Sequence, residues 1–206
     1  MGRGPCFKEY GELCCSDDGI SGSWTFDNYL SLYSEDGLSY AGVINVNSKW
    51  GYMFYTEKDN WSSKYGLSTG TAASGTLEAN GANNIPAPSA GLYLFDVSMK
   101  GLTYTTTAVT SVAYAGFNTK GDAGGDWTLV NMTPSSETGV YTATVTLKGA
   151  SQWGAKIYLN GSWDYFFGGS AGSLTYKGSG ITDDATLGAG TYTLTVNLLK
   201  GTYTLK

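Results

Sequence analysis

The chain has 206 residues, which is enough for one large or two ordinary domains, each with its own hydrophobic core. A net charge of -5 and the lack of any Lys/Arg cluster argue against nucleic acid as a partner. No apolar run approaches the roughly 18 to 20 residues of a membrane span. Residues 1–5 lack the apolar stretch of a signal peptide, so we expect a mature form or a fragment.

Cysteine and histidine usage narrows the chemistry further. Cys6, Cys14 and Cys15 all lie in the first fifteen residues, and the chain contains no histidine. A zinc site would need three thiolates and a carboxylate at unusual spacings, so we expect no metal and no cofactor. A disulfide and free thiols both remain open. Without histidine, neither a Ser-His-Asp nor a Cys-His arrangement can form, and we predict that the chain is not an enzyme.

The composition indicates short strands joined by tight turns. The chain holds 30 Gly and 16 Tyr but only 4 Pro, together with threonine-rich runs. Because β-branched and aromatic residues suit a pleated surface, this composition predicts an all-β protein, and we find no amphipathic helix.

Rare residues recur at nearly one offset, which reveals a duplication. The pairs are Trp24 with Trp127 and Trp50 with Trp153 at an offset of 103, Trp61 with Trp163 at 102, and Tyr93 with Tyr192 at 99. Repeats of this length are too long for a solenoid, so each copy should form its own core. We predict modules over residues 21–107 and 108–206, with residues 1–20 unassigned.

Period-two patterns assign faces within each copy. Tyr192, Leu194, Val196 and Leu198 alternate with polar residues, and Tyr93, Phe95, Val97 and Met99 occupy the equivalent places in the first copy. Such alternation is typical of a strand with one face in the core and one in water. We predict two tandem immunoglobulin-like antiparallel β-sandwich modules.

One strand and its turn carry the residues most suited to binding. If Ala155, Ile157 and Leu159 face the core, then Lys156 and Tyr158 point outward. The dipeptide 160–161, Asn-Gly, predicts a hairpin turn that presents Trp163. A tryptophan face stacks on the apolar face of a sugar ring, and a nearby lysine or asparagine can hydrogen-bond its hydroxyls.

These motifs resemble known glycan-binding modules. Gly-Phe-Asn at 116–118, Asp-Trp at 126–127, and Lys156 seven positions before Trp163 are similar to the glycogen-binding modules of AMP-activated kinase and branching enzymes. The string 155–164 is similar to accessory modules of bacterial pullulanases. Segments 163–169, 83–86 and 190–204 resemble the tandem modules of the Bacteroides outer-membrane starch-binding lipoproteins SusE and SusF.

The resemblance implies which residues contact the glycan. In the second copy it implies Trp127, Lys156 and Trp163, and we add the neighbouring Tyr158. The matching positions of the first copy are Trp24, Met53 and Trp61. Met53 departs from the pattern, so the first copy has lost the site, binds another sugar or uses Lys58. The candidate residues there are Trp24 and Trp61.

Other conspicuous residues have structural interpretations. Trp50 and Trp153 share strand parity with Phe54 and Ile157, so we expect both in the core. Three pairs of adjacent carboxylates are expected in solvated turns, because neighbours on an extended strand point apart. They are Asp17-Asp18, Glu35-Asp36 and Asp183-Asp184.

The preferred hypothesis is a non-catalytic protein that binds a polysaccharide or oligosaccharide, with an α-glucan implied by the resemblance. The resemblance also implies the extracellular face of a bacterial outer membrane or secretion, a glycan-import complex as partner, and a lipid anchor outside this chain. Three alternatives remain. The first is spacer or adhesive domains with buried Trp61 and Trp163, and the second is binding of a non-starch plant or host glycan. The third is the accessory part of a glycan-degrading enzyme whose catalytic domain lies outside this chain.

Overall fold

The computed structural model describes residues 12–15, 20, 26–35, 38–47 and 50–206, and for residues 12–15 it describes the backbone only. The chain divides into two compact units, Met1–Ala108 and Val109–Lys206. The module bounds of 21–107 and 108–206 remain a prediction from the repeat. Cys6 and Trp24 lie outside the described residues, as do the side chains of Cys14 and Cys15.

Unit 1 is a closed antiparallel barrel. Its strands over the described residues are β1 (Glu12–Cys15), β2 (Asn28–Ser34), β3 (Ser39–Val46), β4 (Phe54–Tyr55), β5 (Lys64–Gly70), β6 (Ser74–Ala79), β7 (Gly91–Ser98) and β8 (Thr103–Ala108). The hydrogen-bonded order is β1-β2-β3-β7-β8-β6-β5-β4, and β1 closes the ring by pairing with both β2 and β4. Closure removes the exposed strand edges that would otherwise invite aggregation.

The barrel is filled by aliphatic, phenylalanine and tyrosine side chains. Its largest fully buried members are Tyr40, Tyr52, Phe54, Phe95 and Tyr104. The rings of Tyr52 and Phe95 meet at a centroid distance of 5.6 Å, and Tyr52 and Phe54 meet at 5.5 Å. Such near-perpendicular pairs bury large areas in a favourable ring geometry.

Unit 2 is a single nine-stranded antiparallel sheet. Its strands are β9 (Val112–Ala115), β10 (Val130–Asn131), β11 (Thr133–Pro134), β12 (Val140–Leu147), β13 (Lys156–Leu159), β14 (Phe166–Ser170), β15 (Ser173–Tyr176), β16 (Gly190–Asn197) and β17 (Thr202–Leu205). The order is β10-β9-β13-β14-β15-β17-β16-β12-β11. A helix of one turn, α1 (Asp184–Leu187), precedes β16. No helix in the described ranges is long and apolar enough to cross a membrane.

The predicted alternation is confirmed in unit 2. Leu194, Val196 and Leu198 are buried, whereas Thr195 and Asn197 between them remain in contact with solvent. The longest ladder of this unit joins β12 to β16 over eight residue pairs, from Val140 opposite Asn197 to Leu147 opposite Gly190. The all-β class with antiparallel strands is confirmed, and the two units are consistent with β-sandwich-like modules.

The two units share a local feature at the offset of 103 residues. Tyr52 forms an isolated antiparallel bridge with Ile85, and Ala155 forms one with Ile181. Each bridge lies one or two residues before the first strand of a hairpin, which we call the central hairpin. It consists of β4 and β5 in unit 1 and of β13 and β14 in unit 2. The duplication seen in the sequence therefore extends to these backbone contacts.

Gly168 on β14 is a position where the fold tolerates no side chain. A Cβ there would overlap the carbonyl oxygen of Ser179, in the segment that leads to Ile181 and its bridge with Ala155. We predict that Gly168→Ala destabilises the chain by about 2 kcal/mol or more, because backbone must move. Urea unfolding measures this loss, and hydrogen exchange on β13 and β14 locates it.

Ser170→Ala is the matched control, since Ser170 is an exposed residue of the same strand. It should change stability by less than about 0.5 kcal/mol. Equal stability of the two variants would show that the segment at Ser179 moves aside freely.

Candidate functional site

The hairpin of β13 and β14 builds one aromatic surface in unit 2. Tyr158 pairs with Phe166 across the two strands, so both side chains lie on the same side of the sheet as Lys156. Ile157 pairs with Phe167, and both point into the core, as do Ala155 and Leu159. The predicted core assignment of this strand is confirmed. We call Lys156, Tyr158, Trp163 and Phe166 the unit 2 aromatic face.

Trp163 stands on a rigid turn. Asn160 and Gly161 have φ angles of 57° and 64°, and the Ser162 amide donates to the Leu159 carbonyl at 3.0 Å. These values define the type I′ turn that Asn-Gly predicts. Asn160 Oδ1 accepts hydrogen bonds from the Thr110 amide at 2.8 Å and the Thr110 hydroxyl at 3.1 Å. That oxygen therefore anchors the turn to the residues just before β9.

The Tyr158 ring packs against the Trp163 ring. The ring centroids of Tyr158 and Trp163 are 4.7 Å apart at 72°, and Phe166 lies against Tyr158 at 6.0 Å. Tyr158 is only 3% exposed, which differs from the outward, accessible ring that the sequence predicts. The side chain does lie on the outer side of the sheet, but its neighbours cover it. Tyr158 therefore orients Trp163 and offers little surface of its own.

Lys156 places a positive charge on this face. Its Nζ lies 4.0 Å from the centre of the Phe166 ring, a cation–π contact that limits the positions the ammonium can take. An ammonium has three N–H donors, and a ring face does not saturate them. Lys156 is half-buried and can therefore present donors on the same face as the exposed Trp163 ring.

Trp127 lies at the other end of β13. Its Nε1 donates to the Gly124 carbonyl at 2.9 Å, which fixes the ring within the loop of residues 116–128. A Cβ on Gly116 would lie 3.1 Å from Trp127 Cη2 and 2.7 Å from the Gly154 carbonyl oxygen. Gly116 thus allows the indole to pass close to the start of β13.

The loop that carries Trp127 is closed by its own polar groups. The Gly116 amide donates to the Asp126 carbonyl at 2.7 Å, and the Asp126 amide donates to the Phe117 carbonyl at 2.8 Å. The Lys120 ammonium, 2.9 Å away, and hydrogen bonds from Thr128 and Thr119 hold the pKa of the Asp126 carboxyl well below its usual range. Asp126 therefore stays ionised through mildly acidic pH, and its carboxylate keeps its contacts with Lys120, Thr119 and Thr128.

The structure brings the three principal candidates of unit 2 to one strand. Ala115 at the end of β9 pairs with Lys156 at the start of β13. Trp127 lies beside Gly116, the next residue, and Trp163 lies just beyond the far end of β13. Along the strand, Lys156 therefore lies between the two tryptophans.

Unit 1 repeats the aromatic pair with a different charge position. Trp61 meets Tyr55 at 5.6 Å and 86°, and meets Phe26 at 4.8 Å. Met53, at the place of Lys156, is buried against Tyr55, whose hydroxyl lies 4.0 Å from the Met53 sulfur. Trp24 lies outside the described residues, and Lys58 is half-buried in the loop between β4 and β5.

The pairing of β4 with β5 reveals a residue that the sequence interpretation missed. Lys64 lies opposite Tyr55, just as Phe166 lies opposite Tyr158. The cation of unit 1 is thus on the neighbouring strand, and an apolar residue occupies the place of Lys156. The offset of 102 that relates Trp61 to Trp163 also relates Lys64 to Phe166, so aligning the copies could have found it.

Every tryptophan in the described part of the chain is on the surface. The exposed fractions are 62% for Trp50, 46% for Trp61, 38% for Trp127, 63% for Trp153 and 52% for Trp163. The expectation that Trp50 and Trp153 are core anchors is wrong. Gly154 has a φ of 68°, which interrupts the alternation between Trp153 and Ile157. The residues from Tyr52 to Tyr55 are all buried, so parity carries no information near Trp50.

The pair Asp183-Asp184 is not a solvated turn either. Asp184 is fully buried, and its Oδ2 accepts hydrogen bonds from the Ser151 amide at 2.9 Å and the Ser151 hydroxyl at 2.6 Å. Asp183 accepts one from the Tyr203 hydroxyl at 2.7 Å. Both carboxylates stabilise loops. Within the described ranges, no three His, Cys, Asp or Glu side chains come together as a metal site.

Comparison with known proteins gives limited matches. A family model described as a domain of unknown function, DUF8037, matches residues 10–108. The crystal structure of SusF from Bacteroides thetaiotaomicron is similar to this chain with a TM-score of 0.39 and 13% identity. That similarity covers 98% of this chain, which spans 49% of the SusF chain. No curated protein matches the sequence.

The contacts of Asp184 predict the effect of two substitutions. Asp184→Ala leaves the buried Ser151 amide and hydroxyl without their acceptor, and we expect it to lower the free energy of unfolding by about 1–3 kcal/mol. Asp184→Asn should cost less, because an amide oxygen can replace Oδ2. Its nitrogen would take the place of Oδ1, which accepts no hydrogen bond from the described residues. Urea unfolding of both variants checks the order, and an equal loss would contradict it.

Proposed function

We propose that the chain is a non-catalytic glycan-binding protein and that unit 2 binds an α-glucan of the starch, glycogen or pullulan type. The observation that carries the proposal is the half-exposed Trp163 ring, held edge-on by the buried Tyr158 ring at 4.7 Å. A fixed, exposed indole face is suited to the apolar face of a sugar ring. Its fixed position also reduces the entropy that binding costs.

The remaining candidates complete the recognition chemistry. Lys156 supplies donors for sugar hydroxyls between Trp163 and Trp127, and Trp127 supplies a second exposed indole. The net charge of -5 disfavours an anionic polysaccharide through long-range repulsion. These features favour a neutral glycan. The choice of an α-glucan rests on the order of sequence motifs around Trp127, Lys156 and Trp163.

In unit 1, we propose that Trp61 forms a second site with Lys64 as its donor. The edge-on contact of Trp61 with Tyr55 supports this role, and the different position of the cation favours a different sugar or linkage. The spacer alternative requires buried Trp61 and Trp163, and both are about half exposed.

The proposed setting is the extracellular face of a bacterial outer membrane, or the medium after secretion. A glycan-import complex would be the partner and a lipid anchor outside this chain would be the attachment. The resemblance of the sequence motifs to surface starch-binding lipoproteins supports this setting. Protease digestion of whole cells that produce the protein would test it.

Removing the Trp163 ring should abolish binding by unit 2 without unfolding it. In affinity electrophoresis against starch, pullulan, xylan, xyloglucan and mannan, we expect starch or pullulan to retard the native chain. In a Trp61→Ala background, which silences unit 1, Trp163→Ala should lose most of this retardation, while the thermal midpoint changes little because the ring is half exposed. Leu199→Ala is the control, since Leu199 is a similarly exposed apolar residue in the turn between β16 and β17.

Three results would count against the proposal or a part of it. Absence of retardation by every glycan would overturn it. Retardation only by xylan, xyloglucan or mannan would retain glycan binding but replace the α-glucan by another class. A large fall in the midpoint of Trp163→Ala would show a structural role for this ring.

The cation should contribute separately from the rings. Lys156→Met introduces the residue that unit 1 has at the matching position, and it keeps a similar volume against Phe166. Because hydrogen bonds from charged groups contribute about 1.5–3 kcal/mol, we expect roughly 10- to 100-fold weaker binding of maltoheptaose by unit 2. Titration calorimetry in a Trp61→Ala background, which silences unit 1, measures the change. Unchanged affinity would exclude Lys156 from the site.

A further inference from the structure

Trp50 and Trp153 occupy equivalent places and are the most exposed tryptophans among the described residues, at 62% and 63%. Each is followed by a glycine and then, one residue later, by the bridge to an isoleucine, Ile85 in unit 1 and Ile181 in unit 2. More than half of each side chain is exposed, so neither ring fills a core.

The retention of both rings indicates a surface role. The two copies have diverged at places where the fold allows change, as the difference between Met53 and Lys156 shows. A large apolar ring on the surface gives little stability and adds a risk of aggregation. A tryptophan that persists in both copies under these conditions is therefore expected to contact a ligand.

Trp153 is mounted on a rigid backbone. We call residues 151–154 the Trp153 turn. Its Ser151 is held by Asp184, and the amide of Gln152 donates to the Ala123 carbonyl at 2.7 Å. Just after the turn, Ala155 exchanges two backbone hydrogen bonds with Ile181, at 2.9 and 2.7 Å. An exposed ring on a fixed backbone is pre-organised for binding.

The Trp153 turn is also adjacent to the proposed site. The bond from Gln152 to Ala123 joins it directly to the loop that carries Trp127. A Cβ on Gly116 would lie 2.7 Å from the Gly154 carbonyl oxygen and 3.1 Å from Trp127 Cη2, so the Trp127 ring lies close to the residue that follows Trp153.

Along the backbone of this part of unit 2, the Trp153 turn comes first, with its Gly154 close to Trp127, then Lys156 begins β13, and Trp163 follows the end of that strand. From Ala155 to Tyr158 the strand covers about 10 Å, since each residue of a strand advances the chain by about 3.3 Å. This length exceeds one sugar ring. A glycan that stacks on Trp163 and continues toward Lys156 would reach the Trp153 turn after further sugar units.

We infer that Trp153 forms an additional aromatic subsite that binds sugar units of the same neutral glycan beyond those bound at the unit 2 aromatic face. Unit 2 then distinguishes long glucan chains from short ones. The inference rests on the proposed function and adds to it a preference for chain length.

The test measures affinity against chain length. In the Trp61→Ala background, the dissociation constants of maltotriose and maltoheptaose are determined by titration calorimetry. Trp153→Ala should bind maltotriose as before and maltoheptaose about 3- to 10-fold more weakly, the range expected for one aromatic contact. Trp153→Phe keeps a ring and should restore much of the preference. Gln152→Ala, an exposed neighbour whose backbone makes the turn's contact, should change neither constant.

The outcomes separate this inference from the proposed function. If the background chain binds neither oligosaccharide, the proposed α-glucan function fails. If it binds and Trp153→Ala leaves the preference for maltoheptaose intact, or weakens both ligands equally, the subsite is overturned. An unchanged thermal midpoint for Trp153→Ala ensures that its loss of preference is not a loss of fold.

Discussion

The short ladder between β9 and β13 is the constraint on which the site depends. It pairs Ala115 with Lys156 and Val112 with Leu159, and so it fixes where the loop after β9 lies relative to the start of β13. The Asn160 side chain ties the far end of the same ladder to Thr110. Because both ends are fixed, two tryptophans that are 36 residues apart in sequence lie at the two ends of one four-residue strand. A shift of this register by one residue would turn Lys156 into the core.

The duplication shows which parts of this arrangement belong to the fold and which vary. The bridge before the central hairpin and the edge-on tyrosine–tryptophan pair recur in both units. The position of the lysine differs between the units. In unit 2 it is Lys156, on the first strand of the hairpin, and in unit 1 it is Lys64, on the second strand. The fold thus keeps the tyrosine–tryptophan pair in both units, whereas the lysine lies on a different strand in each.

The strands, their core faces and the turn before Trp163 could be predicted from residue patterns, because these features depend on neighbouring residues in the sequence. The period of two identified the core face of β16, and Asn160-Gly161 predicted its turn because both residues tolerate positive φ. The failures arose where tertiary contacts decide. Parity does not extend through Gly154, so the exposure of Trp153 was not predictable, and the burial of Tyr158 depends on rings that reach it from the next strand and the turn. The binding roles themselves remain predictions.

The prediction that Asp184 lies in a solvated turn failed for a different reason. Two adjacent carboxylates are typical of a solvated loop, and only the fold shows that one of them accepts both hydrogen bonds of Ser151. Local sequence contains no sign of a donor 33 residues away. The same contact supports the segment that carries Trp153, so an interaction invisible in the sequence helps to hold an exposed ring in place.

The cores of both units are built from tyrosine, phenylalanine and aliphatic residues, whereas the described tryptophans are all at the surface. This separation has a spectroscopic consequence. Emission from these described indoles should already resemble that of an indole in water, and unfolding should change their emission little. Tyrosine absorbance and circular dichroism then report on the cores, while tryptophan emission reports on whatever covers the surface rings. In this protein one intrinsic signal follows folding and another follows occupancy.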